Sequence, residues 1–200
     1  GLHPWGGAGK CVAFDWGGYF EIKPSRQTPI YTIDFILLNV IICQKGGIEM
    51  KEYTIEKLDI RDYEKCSNSW NIKKCEFTDK FRKEIENGNR VVFIYKLNGK
   101  FIGEIAYVFD MNDSDYTIPD KRIYISRLIV KKKYRNQGIG GILIDYILEE
   151  IKKMGYKEAT IGVDKDNVSA LHLYQKKGFT NILFDGEDEY GKFYKLMKEI

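Results

Sequence analysis

The sequence predicts a mixed α/β domain in which a central sheet of about seven strands carries about four helices on its two faces. Three observations predict this class. From Met50 onward, segments with alternating apolar residues are interspersed with segments whose apolar residues recur every three or four positions. A length of 200 residues with 44% hydrophobic residues is enough for one core. The pair Asn98-Gly99 between two apolar runs is typical of a tight β-hairpin.

The first part of this domain is predicted to contain a strand, two helices and a hairpin. Residues 53–60 alternate in the manner of a strand, and residues 61–70 are predicted to form a short helix. We expect Thr78 to cap a second helix over residues 79–87. The hairpin strands on either side of Asn98-Gly99 are residues 90–97 and 100–110.

A strand followed by a long helix occupies the centre of the chain. Residues 124–130 are rich in β-branched and aromatic side chains, which suit a buried strand. After Gly138, apolar residues recur at three- and four-residue steps as far as Met154, with charged residues opposite them. This pattern predicts an amphipathic helix that packs on the sheet, and Gly155 is placed to end it.

The chain then continues with a strand, a helix and a closing hairpin. Residues 158–163 form an apolar strand, and Asp166 is expected to cap the last helix. The hairpin is predicted to pair residues 179–184 with residues 192–197 around an acidic loop. The expected order is therefore strand, two helices, three strands, helix, strand, helix and two strands.

The segment that joins the central strand to the long helix combines cations with glycines. It reads Lys131-Lys-Lys-Tyr-Arg-Asn-Gln-Gly-Ile-Gly-Gly141. Glycines allow a tight turn that brings backbone N–H groups against a ligand, and the first turn of a helix leaves its N–H groups unpaired. We therefore expect the loop to bind phosphate, and the cations favour a pyrophosphate or a doubly phosphorylated cofactor. The alternative is a structural turn with solvated lysines.

Two nucleotide-binding motifs fit this loop less well. A P-loop requires GxxxxGK followed by Ser or Thr, and the chain has no such run. A dinucleotide fingerprint requires a third small residue after Gly138 and Gly140, but Leu143 stands there. A nucleotide-binding domain therefore remains an alternative that both departures weaken.

Two motifs resemble those of the GNAT superfamily of N-acetyltransferases. The run Arg135-Asn-Gln-Gly138-Ile-Gly140, between Leu128-Ile-Val130 and the amphipathic helix, is similar to the acyl-CoA-binding motif of that family. Asn167-Val-Ser-Ala-Leu-His-Leu-Tyr174-Gln-Lys-Lys-Gly178-Phe179 is similar to the helix and turn that follow the next strand. The resemblance covers about residue 52 to the C-terminus. It implies a GNAT-like, mixed and mostly antiparallel sheet, and transfer of an acetyl group from acetyl-CoA to a primary amine of a small molecule or peptide by direct attack in a ternary complex.

The resemblance also implies which residues hold acetyl-CoA. The backbone of the glycine loop would bind the pyrophosphate, the edge of the preceding strand would pair with the pantetheine arm, and Asn167 would contact the pantetheine. The cofactor-binding residues expected on this basis are Leu128, Ile129, Val130, Arg135, Asn136, Gln137, Gly138, Ile139, Gly140, Gly141 and Asn167. Tyr174, about two helical turns after Asn167 on the same face, would be the general acid for the departing sulfur. The alternative for Tyr174 is ordinary core packing.

The chain departs from the family at the position of the general base. Many members of the family carry an acidic residue on the strand where this chain has Ser126 and Arg127. Glu104, on the neighbouring strand, is the best substitute and is expected to act through a water molecule. The alternative for Glu104 is a solvent-facing position in the hairpin.

Two acidic segments indicate what kind of amine is accepted. Asp113, Asp115 and Asp120 lie in the polar loop 111–120, and Asp185-Gly-Glu-Asp-Glu189 lies in the closing hairpin. In the family, both neighbourhoods can border the acceptor cleft, where they would attract a cationic amine such as a polyamine, an aminoglycoside or a lysine-bearing peptide. The alternative is that both loops are only solvated.

A second class of function is a non-catalytic acyl-CoA-binding sensor or interaction module, which would keep the phosphate loop without needing Tyr174. A net charge of +3 is too small to indicate nucleic acid or an anionic membrane as a partner. The four cysteines form no CxxC pair or metal-ligand set, and the two histidines offer little to a metal site. We therefore expect reduced thiols, a cytoplasmic location and no metal. A homodimer is expected only because dimers are common in the family.

Residues 1–49 differ in character from the rest of the chain. Three of the four prolines lie here, and residues 30–43 form an apolar run that is too short to span a bilayer. This run is predicted to be either an extra strand or an interfacial segment. Gln44-Lys-Gly-Gly-Ile-Glu-Met50 can be encoded by a purine-rich stretch that resembles a bacterial ribosome-binding site before a start codon. We therefore expect residues 1–49 to be a non-native or disordered leader and residues 50–200 to be the acetyltransferase domain.

Overall fold

The computed structural model of the chain describes residues 37–44, 47–70 and 77–200. Within these residues, the strands are β1 (Leu37–Gln44), β2 (Gly47–Lys57), β3 (Arg90–Leu97), β4 (Lys100–Val108), β5 (Arg122–Val130), β6 (Glu158–Asp164), β7 (Asn181–Asp188) and β8 (Gly191–Glu199). The helices are α1 (Tyr63–Trp70), α2 (Phe77–Glu86), α3 (Ile139–Lys153) and α4 (Val168–Lys176). The seven expected strands and four expected helices are all present. β1 is an additional strand that overlaps the apolar run 30–43, and the rest of the expected leader up to residue 36 lies outside the described residues.

The strands form one sheet in the order β1-β2-β3-β4-β5-β6-β8-β7. β5 and β6 run parallel, joined by the crossover through α3, and the other neighbouring pairs are antiparallel. This arrangement confirms the mixed, mostly antiparallel sheet. The tight turn between β3 and β4 is confirmed as well, since Asn98 and Gly99 have φ angles of 49° and 72°.

Most element ends differ from the prediction by one to a few residues, and three of the differences concern a helix cap or the acidic loop. α2 begins at Phe77, so Thr78 lies inside the helix and not at its cap. Asn167, in place of Asp166, caps α4 by accepting a hydrogen bond from the Ala170 N–H at 3.2 Å. β7 extends to Asp188, so most of the expected acidic loop belongs to a strand. Residue patterns predict the elements, but several neighbouring polar residues can each cap or end a helix or strand, so a pattern locates an element end only to within a few residues.

Helices cover both faces of the sheet. Successive side chains along a strand point to opposite faces, and the two faces have separate cores. One core contains Phe93, Ile105 and the buried side chains of α3. The other contains Val92, Ala106 and buried side chains of α1 and α2. α3 therefore lies on one face of the sheet, and the pair α1 and α2 lies on the other.

The sheet divides between β5 and β6. These two strands pair only through residues 122–125 and 158–161. Beyond that point β5 continues beside β4 as far as Val130, whereas β6 continues beside β8 as far as Asp164. We call the opening between residues 126–130 and residues 162–164 the gap.

A β-bulge in β5 lies at the start of the gap. Ala106 pairs with Ser126 and Glu104 pairs with Ile129, so one residue of β4 faces two residues of β5. Arg127, one of those two residues, has a φ angle of 56°, in the left-handed region. Because a bulge bends its strand and increases the local twist, it accounts for the divergence of β5 from β6.

β1 and β2 form an arm that extends past the rest of the sheet. β2 pairs with β3 through residues 53–57, but with β1 through residues 47–54. Only Leu37 and Leu38 of β1 lie opposite residues of β2 that also pair with β3. The β1 hairpin is therefore attached at the edge of the domain, on the side away from the gap.

Candidate functional site

The loop between β5 and α3 turns at two left-handed residues. After a 3-10 turn at Lys132–Tyr134, Asn136 and Gly138 have φ angles of 59° and 81°. Gly138 is the N-cap of α3, and no side chain of the described residues caps this helix. The Ile142 N–H bonds to the Gly138 carbonyl at 3.1 Å. The N–H groups of residues 139–141 precede that first helical bond, so they are available to an anion at the positive end of the helix dipole.

Cationic side chains surround this turn. Lys132, Lys133 and Arg135 are exposed. Arg135 donates from Nε to the Val130 carbonyl at 3.0 Å, which places its guanidinium beside the end of β5 and the mouth of the gap. Unpaired N–H groups and positive charge therefore occur together, which is the combination that binds phosphate.

Gly140 and Gly141 also have a packing role that the sequence did not indicate. A Cβ at Gly140 would lie 3.2 Å from Leu173 Cδ2, and one at Gly141 would lie 3.4 Å from Lys177 Cε. Leu173 belongs to α4, and Lys177 is its C-cap residue and forms an ion pair with Asp145 of α3. The two glycines thus allow α4, which carries Tyr174, to lie against the start of α3.

The edge of β5 presents backbone groups to the gap. Lys131 donates its N–H to the Ile102 carbonyl of β4 at 2.9 Å. Because the backbone groups of successive strand residues point to opposite edges, those of Ile129 also face β4, whereas those of Leu128 and Val130 face the gap. Of the three predicted strand residues, Leu128 and Val130 can therefore pair with a ligand in the gap. Ile129 instead packs its side chain against the core under α1 and α2.

Tyr174 lies on α4 with 2% of its surface exposed. Its ring meets that of Phe179 edge-on, with the centroids 6.3 Å apart. Burial, reinforced by the negative charge of Asp164, raises the pKa of the Tyr174 phenol above its ordinary value. α4 lies against β6, of which Asp164 is the last residue, and the buried phenol is protonated at neutral pH.

Asn167, the last of the predicted cofactor contacts, is the N-cap residue of α4. Its side-chain oxygen accepts the hydrogen bond from Ala170 that caps this helix. A structural role for Asn167 is therefore present in the described residues, independent of any contact with a ligand.

Glu104 is buried on the α1 and α2 face, with 3% of its surface exposed, which excludes the solvent-facing alternative. Its Oε1 accepts a hydrogen bond from Arg127 Nε at 2.9 Å. Its Oε2 accepts one from Cys66 Sγ at 3.4 Å. Tyr174 belongs to the core on the α3 face, so the predicted acid and the predicted base lie on opposite sides of the sheet.

Arg127 is a site residue that was not predicted. It is the left-handed residue of the bulge, its side chain is 9% exposed, and it is ion-paired with Glu104. Its guanidinium carbon lies 5.0 Å from the centroid of the Phe81 ring. The sequence did contain a signal for Arg127, because it is a cationic residue within an apolar strand. A charge buried at such a position needs a partner of opposite charge.

A second buried arginine lies beside it. The guanidinium carbon of Arg90 is 4.2 Å from the Phe81 centroid, so the ring contacts two cations. Arg90 donates to Glu84 Oε2 at 2.7 Å and to the Ser126 hydroxyl at 3.1 Å. The bulge is therefore held by two ion pairs under α1 and α2.

Three of the acidic residues expected at the acceptor cleft have cationic partners. Asp113 and Asp115 accept hydrogen bonds from Lys195 Nζ at 2.7 and 3.0 Å. Asp185 is paired with Lys165. These carboxylates therefore attract a cationic acceptor less than their number in the sequence indicated.

Membrane-spanning helices and metal-binding clusters are both absent from the described residues. None of the helices in the described ranges has both the length and the apolar character needed to span a bilayer. Across the same ranges, no three His, Cys, Asp or Glu side chains are grouped to hold a metal ion. His172 is exposed on α4.

The model of the acetyltransferase (GNAT) family matches residues 55–179, from β2 to the turn after α4. The chain therefore belongs to the acetyltransferase (GNAT) family. This finding confirms the resemblance inferred from the two motifs, and with it the class of N-acetyltransferase enzymes.

Individual relatives agree with this assignment. N-alpha-acetyltransferase 50 of Danio rerio is 31% identical over 113 residues, which are 48% of this chain and 67% of that protein. N-acetyltransferase 8 of Homo sapiens is 34% identical over 65 residues, 32% of this chain and 29% of that protein, so the chain spans less than a third of this relative. A solved structure of a GNAT family acetyltransferase from Elizabethkingia anophelis, with acetyl-CoA bound, is similar with a TM-score of 0.50 and 23% identity. It covers 59% of this chain and 82% of that one, and it shows the shared fold.

Proposed function

We propose that this protein transfers an acetyl group from acetyl-CoA to a primary amine of a small molecule or peptide, by direct attack in a ternary complex. One observation carries the proposal: the gap in the sheet, faced by the backbone of Leu128 and Val130, opens beside the uncapped first turn of α3. Membership of the acetyltransferase family supports the same reaction, as does the acetyl-CoA bound in the E. anophelis structure.

The chain offers a place for each part of the donor. Acetyl-CoA supplies an acetyl thioester on a long arm that carries phosphates. The N–H groups of residues 139–141 would bind pyrophosphate oxygens, with added charge from Arg135. Leu128 and Val130 would hold the pantetheine in the way that an edge strand holds an added peptide. Gly138 leaves room for close approach, since nothing lies within 4 Å of a Cβ built there.

The transfer forms a carbon–nitrogen bond and breaks a carbon–sulfur bond, while the amine loses a proton and the sulfur gains one. We assign the proton donation to Tyr174. Its raised pKa keeps the phenol protonated at neutral pH. The same burial disfavours a free phenolate, so Tyr174 would share its proton with the departing sulfur as the bond breaks and would not lose it beforehand.

We assign removal of the amine proton to Glu104. Both of its oxygens already accept hydrogen bonds, from Arg127 and Cys66, so it would act through a water molecule. Glu104→Gln should then lower kcat/KM at least about 100-fold, because general-base catalysis is lost. Glu56→Gln is the matched control, since Glu56 is also on a strand and ion-paired with a cation, Lys96. Equal kinetics for the two variants would exclude Glu104 as the base.

A non-catalytic acyl-CoA-binding module is the second candidate function. The observation that favours it is the same buried ion pair, which holds the carboxylate of Glu104 against Arg127. Such a module would bind acetyl-CoA through the loop and the gap without using Tyr174 or an amine.

The proposal also covers the acceptor amine, the cellular location and the oligomeric state. The relative from D. rerio is an N-alpha-acetyltransferase, which supports an amine as acceptor. The lysine partners of Asp113, Asp115 and Asp185 make a strongly cationic amine less favourable than the sequence indicated. A cytoplasmic location and a homodimer remain predictions, which cell fractionation and light scattering would test.

The experiment that tests the proposed function is thiol release from acetyl-CoA, followed with a thiol reagent, across amino acid amides, basic peptides, polyamines and aminoglycosides. Release that depends on the amine is expected, with the acetylated amine identified by mass spectrometry. Binding of acetyl-CoA without release for any amine would support the sensor and would overturn the transferase.

A further inference from the structure

A small cavity lies on the α1 and α2 face of the sheet, over the bulge in β5. Its volume is about 10 Å³, which is room for a single oxygen atom or water molecule. Glu104 of β4 and Arg127 of β5 form part of its wall, together with Tyr63, Cys66 and Phe81 from α1 and α2.

One polar group in this wall has no partner. The side chain of Arg127 is 9% exposed, and its Nε is bonded to Glu104. Its Nη2 is buried and has no hydrogen-bond partner within the described residues. A buried donor without an acceptor is rare because it has lost its water without a replacement. Arg127 therefore has a hydrogen bond available for an oxygen atom that enters the cavity.

The cavity is close to the place where acetyl transfer would occur. Arg127 directly precedes Leu128, whose backbone faces the gap, and neighbouring Cα atoms are about 3.8 Å apart. An acceptor nitrogen that reaches the gap from the α1 and α2 face would therefore bring its own neighbouring atoms close to Arg127. The group recognised by Nη2 must then be attached near the amine.

The charges around the cavity are balanced, which limits the kind of oxygen that fits. Arg127 is paired with Glu104, and Arg90, which also lines the cavity, is paired with Glu84 at 2.7 Å. A carboxylate would bring a charge that has no free counter-charge, whereas a neutral carbonyl oxygen needs only the N–H that Arg127 offers. A hydroxyl group fits less well, because its own hydrogen would need a further acceptor.

We propose that Arg127 determines acceptor specificity, with its Nη2 donating a hydrogen bond to a carbonyl oxygen on the carbon next to the one that bears the amine. The acceptors are then α-amino amides, including the amino termini of peptides, in preference to polyamines and aminoglycosides. This inference rests on the proposed acetyl transfer and adds the class of amine to it.

The test compares two acceptors of similar shape: alaninamide, and 3-methyl-2-butanamine, in which an isopropyl group replaces the carboxamide. Expressed per unprotonated amine, kcat/KM should be at least about 10-fold higher for alaninamide, because only its carbonyl satisfies Arg127. Arg127→Lys retains a positive charge beside Glu104 but removes the Nη2 donor. It should lower the ratio of the two kcat/KM values about 10-fold.

Arg82→Lys is the matched control and should leave the ratio unchanged, since Arg82 lies on α2 with 41% of its side chain exposed. No preference for alaninamide in the unaltered protein, or equal losses for both amines in Arg127→Lys, would overturn this inference while leaving acetyl transfer intact. If Arg127→Lys does not fold, the two acceptors compared in the unaltered protein still decide. Absence of transfer to every amine would instead overturn the proposed function itself.

Discussion

At the scale of single residues, Tyr174 has the surroundings expected of a proton donor in a closed site. Its phenol is buried, and the Asp164 carboxylate adds to the effect of burial on its pKa. Replacing it with Phe removes only the hydroxyl group. The ring that packs against Phe179 remains, so the substitution separates chemistry from packing.

We expect Tyr174→Phe to lower kcat at least about 10-fold with little change in the dissociation constant of acetyl-CoA, because donation to the sulfur is lost. Thiol release gives kcat, and calorimetry gives the dissociation constant. Tyr156→Phe is the control, since Tyr156 packs near Phe109, at the end of α3 opposite from the phosphate loop. A turnover of Tyr174→Phe equal to that of the control would remove the proposed role.

At the scale of elements, α3 is bounded by two left-handed glycines. Gly138 precedes it with a φ angle of 81°, and Gly155 follows it with a φ angle of 88°. Nothing lies within 4 Å of a Cβ at either position. Alanine therefore meets no steric obstacle at either end, but it must adopt a conformation that costs about 1 kcal/mol. Only the first of the two ends lies at the loop for which we propose phosphate binding.

Gly138→Ala and Gly155→Ala should therefore lower the free energy of unfolding by similar amounts, about 1 kcal/mol each. Only Gly138→Ala should weaken acetyl-CoA binding, about 10-fold, because strain there displaces the N–H groups that precede the first helical bond. Urea unfolding and calorimetry measure the two effects. Equal affinities in both variants would show that the loop backbone does not bind the phosphates.

At the scale of the whole molecule, the β1 and β2 arm is separable from the rest of the sheet. β2 pairs with β3 only through residues 53–57. Among the described strands, residues 47–49 of β2 therefore pair only with β1. Among the residues whose side chains the structure describes, Tyr53 is the first that belongs to a core cluster. Removing residues 1–49 thus leaves the described core and the gap intact.

A chain that starts at Met50 is accordingly expected to fold, to bind acetyl-CoA and to keep the kcat of the 200-residue chain. Thermal unfolding and thiol release on both proteins provide the comparison. Loss of folding or of activity in the shorter chain would show that residues 1–49 belong to the native domain.

The whole molecule should also lose stability at alkaline pH. Burial raises the pKa of Tyr95 and of Tyr146 to about 12 from an ordinary value of 10.0. Well below pH 10 both tyrosines are protonated in the folded and in the unfolded chain, so they do not change the free energy of unfolding there. Between pH 10 and 12 the unfolded chain releases these protons first, so stability falls as pH rises.

Urea unfolding at pH 8, 10 and 11 measures this decrease. Tyr146→Phe measures how much of the decrease is due to Tyr146. The substitution removes the titrating hydroxyl, whereas the ring can keep its contact with Phe93, at 5.2 Å between centroids. The variant should lose less stability than the unaltered protein over the same pH interval. An identical pH dependence of stability in the two proteins would show that the Tyr146 hydroxyl does not contribute to the decrease.

Local patterns in the sequence were enough for the fold. Hydrophobic period, the Asn98-Gly99 turn and Gly155 each report on a few neighbouring residues, so the elements and the glycine turn between β5 and α3 could be predicted from them. The pairing of Glu104 with Arg127 and of Asp113 with Lys195 could not be predicted, because each pair joins distant segments that only the tertiary fold brings together. The burial of Glu104 and the second role of Gly140 were missed for the same reason.

Four pairs of residues are all that join β5 to β6, so the sheet consists of two halves with a weak seam between them. A donor lying in the gap would supply the hydrogen bonds that the strands do not make with each other. Binding of this kind stabilises only the folded chain, by about 2.7 kcal/mol when the ligand is at 100 times its dissociation constant. The supply of acetyl-CoA would then govern how long each molecule resists proteolysis in the cell, as well as how fast it works.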